Sequence, residues 1–244
     1  MRIIVGIYIL SKAIYLAILF AANQYSVYNQ KNAKGGTMNK VIASDHPLVA
    51  HSLTRLRDLD TTPQEFRKHV HHISGLLAYE ATSHLATNSI EINTPMGNTS
   101  GLEVTEQVSL VPVLRAGLGM VDGILALIPT ASVWHIGLKR DEETLEPVQY
   151  YTNPPNDTSK RTCLLLDPML ATGGTASEAC SLIKSWGADH IIYIGILAAP
   201  EGIQRLQSEH SDVPIYVGAI DSHLNDVGFI VPGLGDAGDR QFGT

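Results

Sequence analysis

The sequence predicts an α/β fold, a parallel sheet flanked by helices. Short, nearly continuous apolar runs of strand length alternate with helical patterns from residue 108 onward. Such runs suit strands buried on both faces of a parallel sheet. The chain has 244 residues, 44% hydrophobic and 17% charged. That excludes wholesale disorder and supplies enough apolar surface for a large core. Two cysteines exclude a disulfide framework and a Cys-rich zinc site. They fit a reducing, cytoplasmic setting. A net charge of −7 argues against a nucleic-acid partner.

The first 37 residues differ from the rest. They hold Arg2, Lys12, Lys31 and Lys34 and no acid, so the remaining residues carry 13 bases against 24 acids. Ile3–Ala22 is nearly all apolar, as in a leader or anchor. Lys12 in its middle weighs against a spanning helix, and no small-residue cleavage site follows. Residues 1–37 are therefore expected to be an extension, with the folded domain at 38–244. No stable membrane partner is expected.

Ser44–Asp58 reads as a helix. The next begins with Thr62 as cap, Pro63 in the first turn and Glu65 three residues after the cap. Phe66, Val70, Ile73 and Leu77 continue it at helical spacing. Val108–Leu114 and Ser132–Leu138 read as strands, with a helix Leu118–Ile128 between them. Pro112 implies a bend or an edge in the first of these. Strand Thr162–Leu166, helix Thr175–Trp186, strand His190–Leu197, helix Pro200–Gln207 and strand Pro214–Ile220 complete the pattern. Ligands of such sheets bind beyond the carboxyl ends of the strands. The turns after Leu114, Leu138, Leu166, Leu197 and Ile220 are the places to search.

The turn after Leu166 is the most informative. Asp167, Pro168, Met169, Leu170, Ala171, Thr172, Gly173, Gly174 and Thr175 run from a buried strand into a helix. Successive amides at a helix N-terminus form an anion seat, and the glycines let the backbone approach closely. No lysine follows the glycines, so the loop is not a Walker A sequence.

These residues resemble the 5-phosphoribosyl-1-diphosphate (PRPP) loop of type I phosphoribosyltransferases. Most of that superfamily has two adjacent acids here. Pro168 in place of the second is the pattern of uracil phosphoribosyltransferases. The segments His46–Val49, Val111–Met120, Arg140–Pro147, Ala198–Gly202 and Pro232–Arg240 resemble that family in its order. The resemblance covers about residues 40–244 and not the extension.

It implies the type I phosphoribosyltransferase fold, with a hairpin arm and a C-terminal base-binding loop region. It also implies transfer of the 5-phosphoribosyl group from PRPP to N1 of uracil, giving uridine monophosphate (UMP) and diphosphate. Arg115, beside the Ala116–Gly119 turn, and Arg140, at the base of the arm, would bind PRPP together with Asp167–Thr175 and Asp236. Asp167, Arg115 and Asp236 are the candidate catalytic residues. Ile230, Gly235, Asp236 and Ala237 would hold uracil on main-chain groups. Phe229 stands where the family has Tyr, at the expected cost of one hydroxyl contact. Mg²⁺ is expected to arrive with PRPP, with no protein metal site. The family also implies a homo-oligomer, a dimer or larger, packed through the 141–154 arm, and for some members a GTP effector. The segment after Gly101 and that arm are the candidates to close over the site.

Other readings are weaker. Gly233, Gly235 and Gly238 match a dinucleotide fingerprint, but no strand–helix unit can follow them. His69, His71 and His72 read as a solvated cluster rather than a metal site. Cys163 and Cys180 read as core residues. A non-enzymatic nucleotide-sensing regulator on the same fold is the alternative, disfavoured by the acidic body and the intact loops.

Overall fold

The computed structural model describes residues 41–140, 147–154 and 161–244. The extension 1–37, the tip of the arm and Pro155 lie outside them.

A sheet of nine strands forms the centre. Its path runs β1 (Val41–Ala43), β11 (Ile215–Ile220), β10 (His190–Ala198), β8 (Arg161–Leu166), β4 (Gln107–Leu114), β6 (Ile136–Arg140) and β7 (Pro147–Thr152). All neighbours are parallel except β7, which returns antiparallel to β6 as the base of the expected arm. Two short strands join from the side: β5 (Ser132–Val133) on β4 and β9 (Met169–Leu170) on β10.

Alternation along the central strands explains their continuous apolar runs. On β8, Leu164 and Leu166 face one core and Cys163 and Leu165 the other. The first core is covered by α1 (Pro47–Arg57), α2 (Pro63–Ala81) and α3 (Leu118–Leu125), and includes Phe66, Ile73, Leu77 and Met120. The second is covered by α4 (Gly174–Ser185) and α5 (Pro200–Glu209), and includes Ile183, Ile203 and Tyr193. Both cysteines are free and buried, and burial pushes each thiol up to about 12.

Local signals set the helix ends. Thr62 Oγ1 accepts from the Glu65 amide at 3.3 Å, as the cap predicts. The first helix starts at Pro47 rather than Ser44, with His46 Nδ1 accepting from the Leu48 amide. Helix α3 stops at Leu125, three residues before the expected Ile128. Pro129 disfavours helical geometry at Ile128.

Pro112 is not at an edge: β4 lies inside the sheet, between β8 and the β5–β6 side. The expected strand Ser132–Leu138 is instead two pieces, broken at Trp134 and His135. The break falls opposite Pro112, because Leu110 pairs with Val133 and Val113 with Ile136. A residue without an N–H cannot sustain the ladder on that side.

Six elements carry little sequence signal. Strand β1 has three residues. Strands β2 (Thr87–Thr94) and β3 (Gly97–Val104) form a hairpin, almost wholly exposed. Strands β12 (His223–Leu224) and β13 (Ile230–Val231) pair antiparallel, and helix α6 (Ala237–Phe242) follows.

Candidate active site

Three turns meet at the carboxyl end of the sheet. The first follows β8. Asp167 leaves the strand with its carbonyl accepting from the Tyr193 hydroxyl at 2.7 Å. Its carboxyl receives one long contact, 3.4 Å from the Met169 amide. Burial pushes this acid up to about 7 and outweighs that hydrogen bond. The chain then adds β9 to the end of β10, with Pro168 accepting from the Ile196 and Leu197 amides and Leu170 from Ala199. Gly173 caps α4 at φ +80°, which favours glycine. The expected loop 167–175 thus holds a two-residue strand, Met169–Leu170, and ends in the first two residues of α4, Gly174 and Thr175.

Helix α5 packs directly on this loop. A Cβ at Gly202 would collide with the Leu170 and Ala171 carbonyls. On the other side, a Cβ at Gly117 would collide with the Leu166 carbonyl. Gly117 belongs to the second turn, after β4, which carries Arg115. The loop is therefore gripped between two backbone contacts.

The third turn is the C-terminal segment. Arg57 donates to both oxygens of buried Asp221, at 2.8 and 2.6 Å, and to the Gly233 carbonyl at 2.8 Å. Asp221 also accepts from the Gly233 amide at 2.8 Å. Arg240 donates to the carbonyls of Leu56, Leu234 and Asp58, and its guanidinium lies 4.6 Å over the Phe66 ring. Ile230, Leu234 and Ala237 anchor the segment in the first core. Gly235 adopts φ +81° between them.

Gln241 ties this segment to the Arg115 turn. Its buried amide donates to the Ala116 and Ala237 carbonyls, both at 3.0 Å. A Cβ at Gly238 would lie 3.8 Å from Ala116 Cβ and 3.9 Å from Arg115 Nη2. Arg115 itself pairs with Asp239 at 3.0 Å. Asp236 caps α6, accepting from the Asp239 amide at 2.9 Å. Arg115, Asp167–Thr175, Ile230 and Gly235–Ala237 are thus linked through successive contacts. Arg140 ends β6 beside β4, at the same end of the sheet. Its side chain lies outside the described residues.

Sequence reasoning missed Asp239, Arg57, Asp221, Arg240 and Gln241. Each works through a partner far away in the chain, which spacing cannot reveal. Only a capping signal, Asp236 before an Asp at 239, was there to be found.

The mainly parallel sheet flanked by helices, with the strand–loop–helix after β8 and the C-terminal segment packed on the Arg115 turn, is the type I phosphoribosyltransferase fold. A solved protein from Aquifex aeolicus is similar over 83% of this chain and 97% of its own, with a TM-score of 0.79 and 38% identity. The adenine phosphoribosyl transferase of Trypanosoma brucei shares the fold, with a TM-score of 0.50 and 13% identity over 74% of this chain and 82% of its own. The family model described as uracil phosphoribosyltransferase matches residues 43–244. Curated uracil phosphoribosyltransferases of Roseiflexus castenholzii and Dictyoglomus thermophilum are 55% and 54% identical. They cover 85% and 84% of this chain and 100% and 99% of their own. The chain belongs to the uracil phosphoribosyltransferase family.

Proposed function

We propose that this site transfers the 5-phosphoribosyl group from PRPP to N1 of uracil, giving UMP and diphosphate. The observation that carries the reading is the junction of the three turns, one seating anions, one bearing Arg115 and one hooding the site with main chain. A coupled test is direct: purified protein with uracil and PRPP should form UMP, and cytosine or hypoxanthine in place of uracil should not. The nucleotide-sensing regulator has no support in the fold or in the relatives, and UMP turnover would exclude it as the sole role.

In this reading the amides that open α4, with the Thr172 and Thr175 hydroxyls, seat the 5-phosphate. Asp167 accepts from the ribose hydroxyls. Arg115 and Arg140 hold the diphosphate and offset the charge that grows on it as it leaves. The main chain at Ile230 and Gly235–Ala237 matches the alternating donors and acceptors of the uracil edge. A wrong base would leave those groups unpaired. Asp236, fixed as a helix cap, faces PRPP. Little covalent work is asked of the protein, since positioning and charge stabilisation dominate.

Among the described residues no three His, Cys, Asp or Glu side chains stand together as a metal site. In this reading Asp167 and Asp236 are acids that would face an ion carried in on the substrate. Mg²⁺ bound to PRPP would neutralise diphosphate charge while keeping most of its waters.

A homo-oligomer fits the exposed Ile92 and Leu102 of the β2–β3 hairpin and Tyr150 and Tyr151 of β7. A GTP effector rests on the family alone. Among the described residues no helix is long and apolar enough to cross a membrane. A cytoplasmic location rests on the free, buried thiols.

A further inference from the structure

The loop that seats the 5-phosphate contains no cation of its own. A guanidinium from another element lies against it. Arg205, on α5, has Nη1 2.9 Å and Cζ 3.4 Å from the point where a Cβ on Gly174 would stand. It occupies the space that the missing side chain leaves at the first residue of α4. Its Cβ is 3.1 Å from the corresponding point on Gly173.

The side chain is aimed from behind. Its Nε donates to Glu209 Oε1 at 3.0 Å, one helical turn later. The other Glu209 oxygen accepts from the Ser177 hydroxyl in the first turns of α4. The Ser177 hydrogen bond holds the Glu209 carboxyl below the usual range, and Arg205 adds to it, so the anchor stays ionised. Neighbouring His210 fastens the same corner, its Nε2 3.0 Å from the Ser177 carbonyl. The Arg205 side chain is 39% exposed, enough to meet an arriving anion.

We infer that Arg205 is a phosphate-binding residue of this enzyme, the positive charge of the 5-phosphate seat, oriented by Glu209 and Ser177. The inference rests on the proposed placement of the 5-phosphate at the α4 N-terminus. It assigns the two ends of PRPP to different arginines, Arg205 at the 5-phosphate and Arg115 at the diphosphate.

Two fragments separate those ends. Ribose 5-phosphate and diphosphate are titrated separately into the protein by calorimetry, at low and raised salt. Arg205→Gln, which keeps a polar stem but no charge, should weaken ribose 5-phosphate about tenfold, the size of one charge-assisted contact. Diphosphate binding should not change. Arg205→Lys should recover most of the loss, and raised salt should shrink the difference. Equal weakening of both fragments would reduce Arg205 to a brace between helices and overturn the inference. So would unchanged ribose 5-phosphate binding in Arg205→Gln. Wild-type protein that fails to bind ribose 5-phosphate at all would overturn the loop placement as well, which keeps the two failures apart. Arg205→Ala provides a second, larger truncation for the same comparison.

Discussion

The Arg115 guanidinium lies 3.0 Å from the Asp239 carboxylate, 124 residues further along the chain. Their side chains are 60% and 47% exposed. An ion pair so open contributes at most about 1 kcal/mol. It holds Arg115 near the junction of the three turns and yields readily to a ligand with more charge.

Arg115→Ala should therefore weaken PRPP use ten- to a hundredfold, at about 1.5–3 kcal/mol per charge-assisted contact. Turnover should fall too, because leaving-group charge grows in the transition state. Lys at 115 should rescue only partly, since it lacks the bidentate fork. Asp239→Asn removes the competing carboxylate and should tighten diphosphate binding. Steady-state kinetics with PRPP varied give the answer, and an unchanged KM and kcat in Arg115→Ala would remove that residue from the site. Arg140→Ala is expected to behave like Arg115→Ala and is tested separately.

Substituting Gly235 by valine should abolish uracil binding and leave PRPP binding measurable. The position has φ +81°, a region that a β-branched residue strongly disfavours. The space itself is not crowded, since a Cβ would stand 3.6 Å from Arg240 Cδ. The damage should come from a displaced main chain, which is the proposed base pocket. Uracil affinity surviving intact in Gly235→Val would place the pocket elsewhere.

Asp167 gives a pH signature. Burial raises its acid from 3.8 to about 7, so the folded protein holds a proton that the unfolded chain has lost. Stability should fall as pH rises across that window and level off above it. Asp167→Asn keeps the neutral shape at every pH. It should melt above wild type at pH ~8, with the gap closing toward pH ~4. In the proposed reading the ionised form accepts from ribose hydroxyls, so the wild-type KM for PRPP should drop as pH rises through about 7. That dependence should vanish in Asp167→Asn. Parallel melting curves for the two proteins across the range would contradict the burial.

A chain beginning at Met38 should keep full activity and the same melting temperature as the full chain. The charge balance of residues 1–37 is separate, and the family match starts at residue 43. Loss of activity on removing them would show that the extension serves the enzyme.

The elements legible in the sequence are those whose signal is local. The apolar run Thr162–Leu166, the Thr62–Pro63 cap and the Gly173–Gly174 turn each declare themselves within a few residues. The β2–β3 hairpin does not, because its side chains are almost all exposed and carry no burial period. Helix α6 hides in a glycine-rich stretch and forms because Asp236 caps it and Gln241 ties it down. The strand expected at Ser132–Leu138 breaks because of Pro112 on its neighbour, a cause that lies outside the strand itself. The site divides the same way. Asp167 and its loop are contiguous, whereas Arg57 with Asp221 and Arg115 with Asp239 become partners only in three dimensions.

The backbone grip on the phosphate loop sets a gauge. Gly117 and Gly202 touch carbonyls of Leu166, Leu170 and Ala171 from opposite sides, with no side chain in between. The turn bearing Arg115 is thus set against the end of β8, and α5 against the loop that leads to α4, by backbone contact alone. In the proposed reading one PRPP spans both that turn and the start of α4. A donor one carbon longer should span the two less well than PRPP. It would act as an inhibitor competitive with PRPP and not as a substrate.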